Sequence, residues 1–139
     1  MYKKTTLVAD NIKDGAKLLE KLKTWLKPIW AAFWLRAEEG EDWRLVVISP
    51  VVGSQGPKWA YQQLPFTFFD LKNDPTRARE FTLTPDDVSI LSPGTLLFER
   101  IRRASGADLL HESIRDIQLS DAYIYWVEPD PARAAPQPR

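Results

Sequence analysis

The segment from Pro28 to Pro50 constrains the fold of this chain more than any other. Ile29-Trp30-Ala31-Ala32-Phe33-Trp34-Leu35-Arg36 and Trp43-Arg44-Leu45-Val46-Val47-Ile48-Ser49 read as two strands, joined by the acidic loop Ala37-Glu38-Glu39-Gly40-Glu41-Asp42. Alternate side chains of a strand point to opposite faces. In the first strand Ile29, Ala31, Phe33 and Leu35 therefore oppose Trp30, Ala32, Trp34 and Arg36. In the second, Trp43, Leu45, Val47 and Ser49 oppose Arg44, Val46 and Ile48. Both faces are largely apolar in any register, whereas a sheet with one wet face places polar residues at every second position. This hairpin needs cover on both sides, from its own domain or from a partner.

The elements around it supply some of that cover. Ile12, Ala16, Leu19, Leu22 and Leu26 recur at three- and four-residue intervals and predict an amphipathic helix with Lys13, Lys17, Lys21, Lys23 and Lys27 over the rest of its surface. Asn11 and Asp14 resemble a capping pair at its start, and Pro28 ends it. After Pro50 and Gly53 close the second strand, Ser54-Gln55-Gly56-Pro57 opens a short helix through Leu64, with Pro57 at its first position. Leu64 to Leu71 fits helix and extended chain equally well, because its pattern is partly alternating and contains Pro65. Thr84-Pro85-Asp86-Asp87 reads as a turn or a single helical turn, and Val88-Ser89-Ile90-Leu91 as a short strand joining the hairpin's sheet.

Ser92-Pro93 reads as a cap and first position of a further helix, with Leu97, Ile101 and Ala104 as its buried stripe and Gly106 as its stop. A second hairpin follows, Glu112 to Leu119 and Ala122 to Val127 around Ser120-Asp121. The expected fold is α+β, a mainly antiparallel sheet of four to five strands with two to three helices in the order α-β-β-α-β-α-β-β. Residues 1–127 form one globular domain on this reading, and 128–139, with four prolines and no large apolar residue, a flexible tail.

Composition narrows the functional classes. Lys plus Arg and Asp plus Glu are equal at 19 each, so bulk charge gives no pull toward polyanions. The absence of cysteine removes disulfides, thiol nucleophiles and sulfur ligands for zinc. Leu7-Val8-Ala9 is too short an apolar run for a signal peptide, and no apolar segment spans a bilayer, which points to a cytoplasmic protein without a membrane partner.

Candidate chemistry is sparse. His111, the single histidine, stands beside a strand start with no motif around it. Asp86-Asp87, Glu38-Glu39 and Glu41-Asp42 are carboxylate pairs, but their spacing matches no calcium or nuclease site, and turn capping or loop solvation accounts for them. Gly53-Ser54-Gln55-Gly56-Pro57-Lys58 lacks phosphate-loop spacing, and Pro57 removes one of the backbone donors such a loop uses. There is no G-x-S-x-G motif. No metal, cofactor or catalytic residue is assigned, and the reading leans away from an enzyme.

Ala32-Phe33-Trp34-Leu35-Arg36, Trp43 to Pro50 and Asp121-Ala122-Tyr123-Ile124-Tyr125 resemble the corresponding runs of a group of short, uncharacterised bacterial proteins. The resemblance spans most of residues 10–127 and implies no activity, ligand or site.

The leading expectation is a non-enzymatic interaction or accessory domain, homo-oligomeric or bound to a protein partner. It would work through an aromatic sheet face containing Trp30, Trp34, Trp43 and Arg36. A nucleic-acid module using Arg77, Arg79, Arg100, Arg102 and Arg103 is the first alternative. An enzyme of unknown reaction using Asp86, Asp87 or His111 is the second.

Overall fold

The computed structural model describes residues 7–36, 42–74, 81–104, 114–119 and 122–127, with 102–104 and 114–119 described by backbone alone. Helix α1 (Ala9–Trp25) leads into strands β1 (Ala31–Leu35) and β2 (Arg44–Ile48). Three helices follow, α2 (Val51–Gln55), α3 (Pro57–Tyr61) and α4 (Gln63–Lys72), where one short helix was expected. A 3₁₀ turn (Pro85–Asp87), β3 (Val88–Leu91), α5 (Leu96–Ala104), β4 (Ile114–Leu119) and β5 (Ala122–Val127) complete the order.

The fold is α+β, but its sheet is mixed rather than mainly antiparallel. The strand order is β3-β2-β1-β5-β4. The pairs β1–β2, β1–β5 and β4–β5 run antiparallel, while β3 lies parallel to β2 with Leu45 opposite Val88 and Ile48 opposite Leu91. A parallel neighbour needs a crossover, and α2, α3 and α4 provide it. Arg44 ties the parallel pair at one end, its Nε donating to the Ser89 hydroxyl at 2.7 Å and an Nη to the Val88 carbonyl at 3.2 Å.

Two cores lie on opposite faces of the sheet. On one, Ala32, Trp34, Leu45 and Val47 pack with Leu18, Leu19 and Leu22 of α1, Ala60 of α3, and Leu64 and Leu71 of α4. On the other, Ala31, Phe33, Val46 and Ile48 pack with Phe98 and Ile101 of α5. Both faces of the central hairpin are thus covered within the chain, which is what its two-sided apolar pattern demands.

A bulge in β5 sets the join between α1 and the sheet. Ala32 pairs with Trp126 and Phe33 with Ile124, leaving Tyr125 as the extra residue. Tyr125 and Trp126 consequently both enter the helix-side core, while Ile124 and Val127 enter the other. The Tyr125 hydroxyl donates to the Ile12 carbonyl of α1 and accepts the Trp34 indole N–H at 2.9 Å. Gly15 makes room for this: a Cβ there would sit 2.3 Å from the Tyr125 hydroxyl.

The buried stripe of α1 is rotated from the expected one. Asn11, Asp14, Gly15, Leu18, Leu19 and Leu22 face inward, while Ile12 is half-buried and Ala16 exposed. Asp14 causes the rotation. Its carboxylate accepts the Thr82 backbone N–H at 2.8 Å and hydroxyl at 2.7 Å, and Asn11 donates its side-chain amide to the same hydroxyl at 3.0 Å. Asn11 also accepts the Val8 N–H, so the helix opens at Val8 and the expected Asn11–Asp14 cap is replaced.

Residues 63–72, ambiguous in sequence, are helical. Pro65 lies in the first turn of α4, where backbone N–H groups have no acceptor within the helix, so its missing donor is tolerated. The same ring disfavours helix through Tyr61, four residues back, and α3 ends there. Gly56, at φ 93°, separates α2 from α3, and Pro57 opens α3 as expected. Helix α5 starts later than Ser92-Pro93 suggests: the Thr95 hydroxyl accepts the Phe98 N–H at 3.4 Å, and Phe98 joins Ile101 as a buried anchor. Among the described residues no helix is long and apolar enough to cross a membrane.

Candidate interaction surface

The expected interface residues do not form one surface. Trp34 is fully buried and Trp43 nearly so, both in the core beneath α1. Trp30 is half-buried and packs against the opposite core beneath α5. Its backbone N–H bonds the Ile48 carbonyl just before β1 begins, and the strand alternation assumed from Ile29 onward fails there. Arg36 is half-buried, with its guanidinium 5.3 Å from the Trp43 ring centre. All four side chains thus pack within the folded chain, and the faces of the β1–β2 hairpin are not open.

Of the arginine cluster, Arg100 is exposed on α5. Arg102 and Arg103 follow on the same helix by backbone, and Arg77 and Arg79 lie outside the described residues, as does His111. Asp87 caps its own turn, its carboxylate accepting the Thr84 N–H at 2.9 Å, and Asp86 is exposed beside it. Among the described residues no group of three His, Asp or Glu side chains could hold a metal ion. Glu38, Glu39 and Glu41 and the tail from 128 are also outside the described residues.

The exposed aromatic surface lies elsewhere, on α1 and α4. Phe66 and Phe69 are 51% and 67% exposed, and Trp25 is 36% exposed. Phe66 and Phe69 are three residues apart and so share one side of α4. Trp25, at the end of α1, stacks on Phe66 with ring centres 5.0 Å apart and planes at 23°. Its indole N–H donates to the Asp70 carboxylate at 2.9 Å, which fixes the ring against α4. Pro65 continues the apolar outer side of α4 and is itself exposed.

Helix α4 carries its polarity inverted. Gln63 and Thr67 are buried beside Leu64 and Leu71, while Phe66 and Phe69 face water. The inward polar groups are satisfied locally: Gln63 donates to the Trp59 carbonyl at 2.9 Å, and Thr67 to the Gln63 carbonyl at 3.0 Å. A surface helix ordinarily places its phenylalanines inward and its glutamine and threonine outward. The sequence signal for this surface was the pair Phe66 and Phe69 at helical spacing, opposite Leu64 and Leu71. That spacing places the two rings on one side only because residues 63–72 are helical.

The free edge of β3 is occupied. Tyr61 of α3 accepts the Ile90 backbone N–H on its hydroxyl at 2.9 Å. An edge strand whose donor is already bonded is poorly suited to adding a strand from another chain.

Comparison of the chain with protein-family models, with curated proteins and with solved structures gives no match.

Proposed function

We propose that this chain is a non-catalytic interaction module that docks a protein partner through the outer faces of α1 and α4, centred on Trp25, Phe66 and Phe69. The observation that carries this reading is the inverted polarity of α4, which leaves two phenylalanines in water while a glutamine and a threonine take core positions. Covering Phe66 and Phe69 gains about 1 to 2 kcal/mol each from apolar burial, which the isolated chain forgoes. Trp25 adds a rigid aromatic held by Asp70, and pre-ordered aromatic side chains are the residues on which interface energy concentrates. This site replaces the sheet face suggested by the sequence, whose tryptophans are used in the two cores.

The test is quantitative affinity capture from the organism's own extract with the wild type, Phe69→Ser and Leu96→Ser. Leu96 is also strongly exposed but sits on α5, across the sheet from α1 and α4. Capture lost with Phe69→Ser and kept with Leu96→Ser supports the reading. Capture equal for all three chains refutes it.

A further inference from the structure

We infer that the segment this surface receives is an acidic amphipathic helix, an inference that rests on the docking reading above and adds the chemistry of the partner. Two observations select it. The first concerns the backbone. Helices α1 and α4 satisfy their own N–H and C=O groups, so their outer faces offer an extended strand nothing to pair with. The β3 edge is closed by Tyr61. A partner that lays side chains on this surface must therefore satisfy its own backbone, which a helix does.

The second concerns charge. Lys21 lies one turn before Trp25 on α1 and Lys17 one turn before that, while Lys72 lies three residues beyond Phe69 on α4. At these spacings they share the outer sides that carry the aromatics, so lysines flank the patch along both helices. Lys17 and Lys72 are exposed and Lys21 is half-buried. The carboxylate set among the aromatics, Asp70, already accepts the Trp25 indole N–H. Glu20 is exposed on α1 and Asp74 follows Asp70 by one turn, so the excess is small and lies along the Trp25 side of α1, where Lys17 and Lys21 favour an acidic partner. Asp70 also weighs against a lipid surface, because sinking Trp25 and Phe66 into the interface would carry that carboxylate out of water.

The full chain, ¹⁵N-labelled, is titrated with two synthetic amphipathic helical peptides sharing one leucine stripe, one flanked by glutamate and one by lysine. Trp25 reports through its indole N–H resonance, assigned by its loss in Trp25→Phe. The glutamate peptide is expected to shift Trp25 and backbone signals of residues 63–72, and to bind about tenfold more tightly than the lysine peptide at low salt. That difference narrows as salt rises to about 0.5 M. Lys21→Glu with Lys72→Glu reverses the preference, and Phe69→Ser abolishes both sets of shifts.

Equal affinity for the two peptides at these residues overturns the acidic partner and leaves the docking reading standing. No shift at millimolar peptide, or shifts confined to other residues, overturns the inference. Should capture by Phe69→Ser also match the wild type, the docking reading falls with it. Tighter binding of oligothymidylate or of phosphatidylserine vesicles at the same residues replaces the partner class and overturns the inference too.

Discussion

Gly15→Ala tests the packing that seats α1 on the sheet. An exposed glycine inside a helix is ordinarily improved by alanine, by about 1 kcal/mol. Here the added methyl would lie 2.3 Å from the Tyr125 hydroxyl, 3.0 Å from the Trp34 indole nitrogen and 3.1 Å from the Tyr125 ring. Ordinary contact requires the hydroxyl to withdraw by about 1 Å, which breaks its bonds to the Ile12 carbonyl and the Trp34 N–H. Overpacking costs about 1 to 3 kcal/mol, and a buried indole N–H left without an acceptor costs about as much again. After subtracting the helix-propensity gain, the net loss is about 1 to 5 kcal/mol, with a middle value of about 3 kcal/mol. The middle value corresponds to a fall in Tm of about 10 °C for a chain of this size.

The decisive comparison is Gly15→Ala in a Tyr125→Phe background. Tyr125→Phe alone costs about 1 to 3 kcal/mol, because Trp34 loses its acceptor. It also removes the atom with which the methyl collides. Gly15→Ala should then cost within about 1 kcal/mol of zero, so the double variant is more stable than the sum of the singles by about 2 kcal/mol or more. Urea unfolding followed by tryptophan fluorescence measures all four chains. A neutral or stabilising Gly15→Ala in the wild-type background, or strict additivity in the cycle, would refute the assigned contact.

Two other glycines should respond to alanine in opposite directions. Gly53 lies inside α2 with nothing within 4 Å of where an alanine methyl would stand, so Gly53→Ala should stabilise by up to about 1 kcal/mol in thermal unfolding. Gly56 holds φ at 93°, so Gly56→Ala should destabilise by about 1 to 3 kcal/mol although its surroundings are equally open. Thr82→Val removes the hydroxyl shared by Asp14 and Asn11 and should cost about 1 to 3 kcal/mol by urea unfolding, whereas a loss below about half a kilocalorie would exclude this network as an anchor of α1. Phe69→Ser should change stability by no more than about 0.5 kcal/mol, since the ring is two-thirds exposed; a loss of about 2 kcal/mol or more would make it a core residue instead.

Much of the scaffold was legible because its signals are local. β1, β2, β3 and β5 announce themselves through β-branched and aromatic runs between turn residues, and α1 through its leucine spacing. The rotation of α1 was not legible, because it depends on Thr82, which lies 68 residues from Asp14. The direction of β3 was hidden for a similar reason. Four residues, Val88 to Leu91, carry a strand signal but none that distinguishes parallel from antiparallel pairing.

The candidate surface was missed because α4 contradicts both cues that identify a surface helix. Pro65 stands within the helical segment, and two of its polar residues, Gln63 and Thr67, face inward. Trp34 and Trp43 looked available because alternation assigns a face without saying what covers it. Leu18, Leu19 and Leu22 of α1 supply that cover. Exposure is a property of the assembled layers, so Phe69 and Trp34 could be told apart only after α1, α4 and the sheet were placed together.

Oxidative footprinting by hydroxyl radicals, read residue by residue by mass spectrometry on the purified chain and on the chain in its native extract, tests the docking surface most directly. Phe66 and Phe69 should be oxidised in the purified chain and protected in the extract, while the similarly exposed Leu96 is labelled equally in both. Equal labelling of Phe66 and Phe69 under the two conditions, or protection at Leu96 alone, would contradict a docking role for α1 and α4.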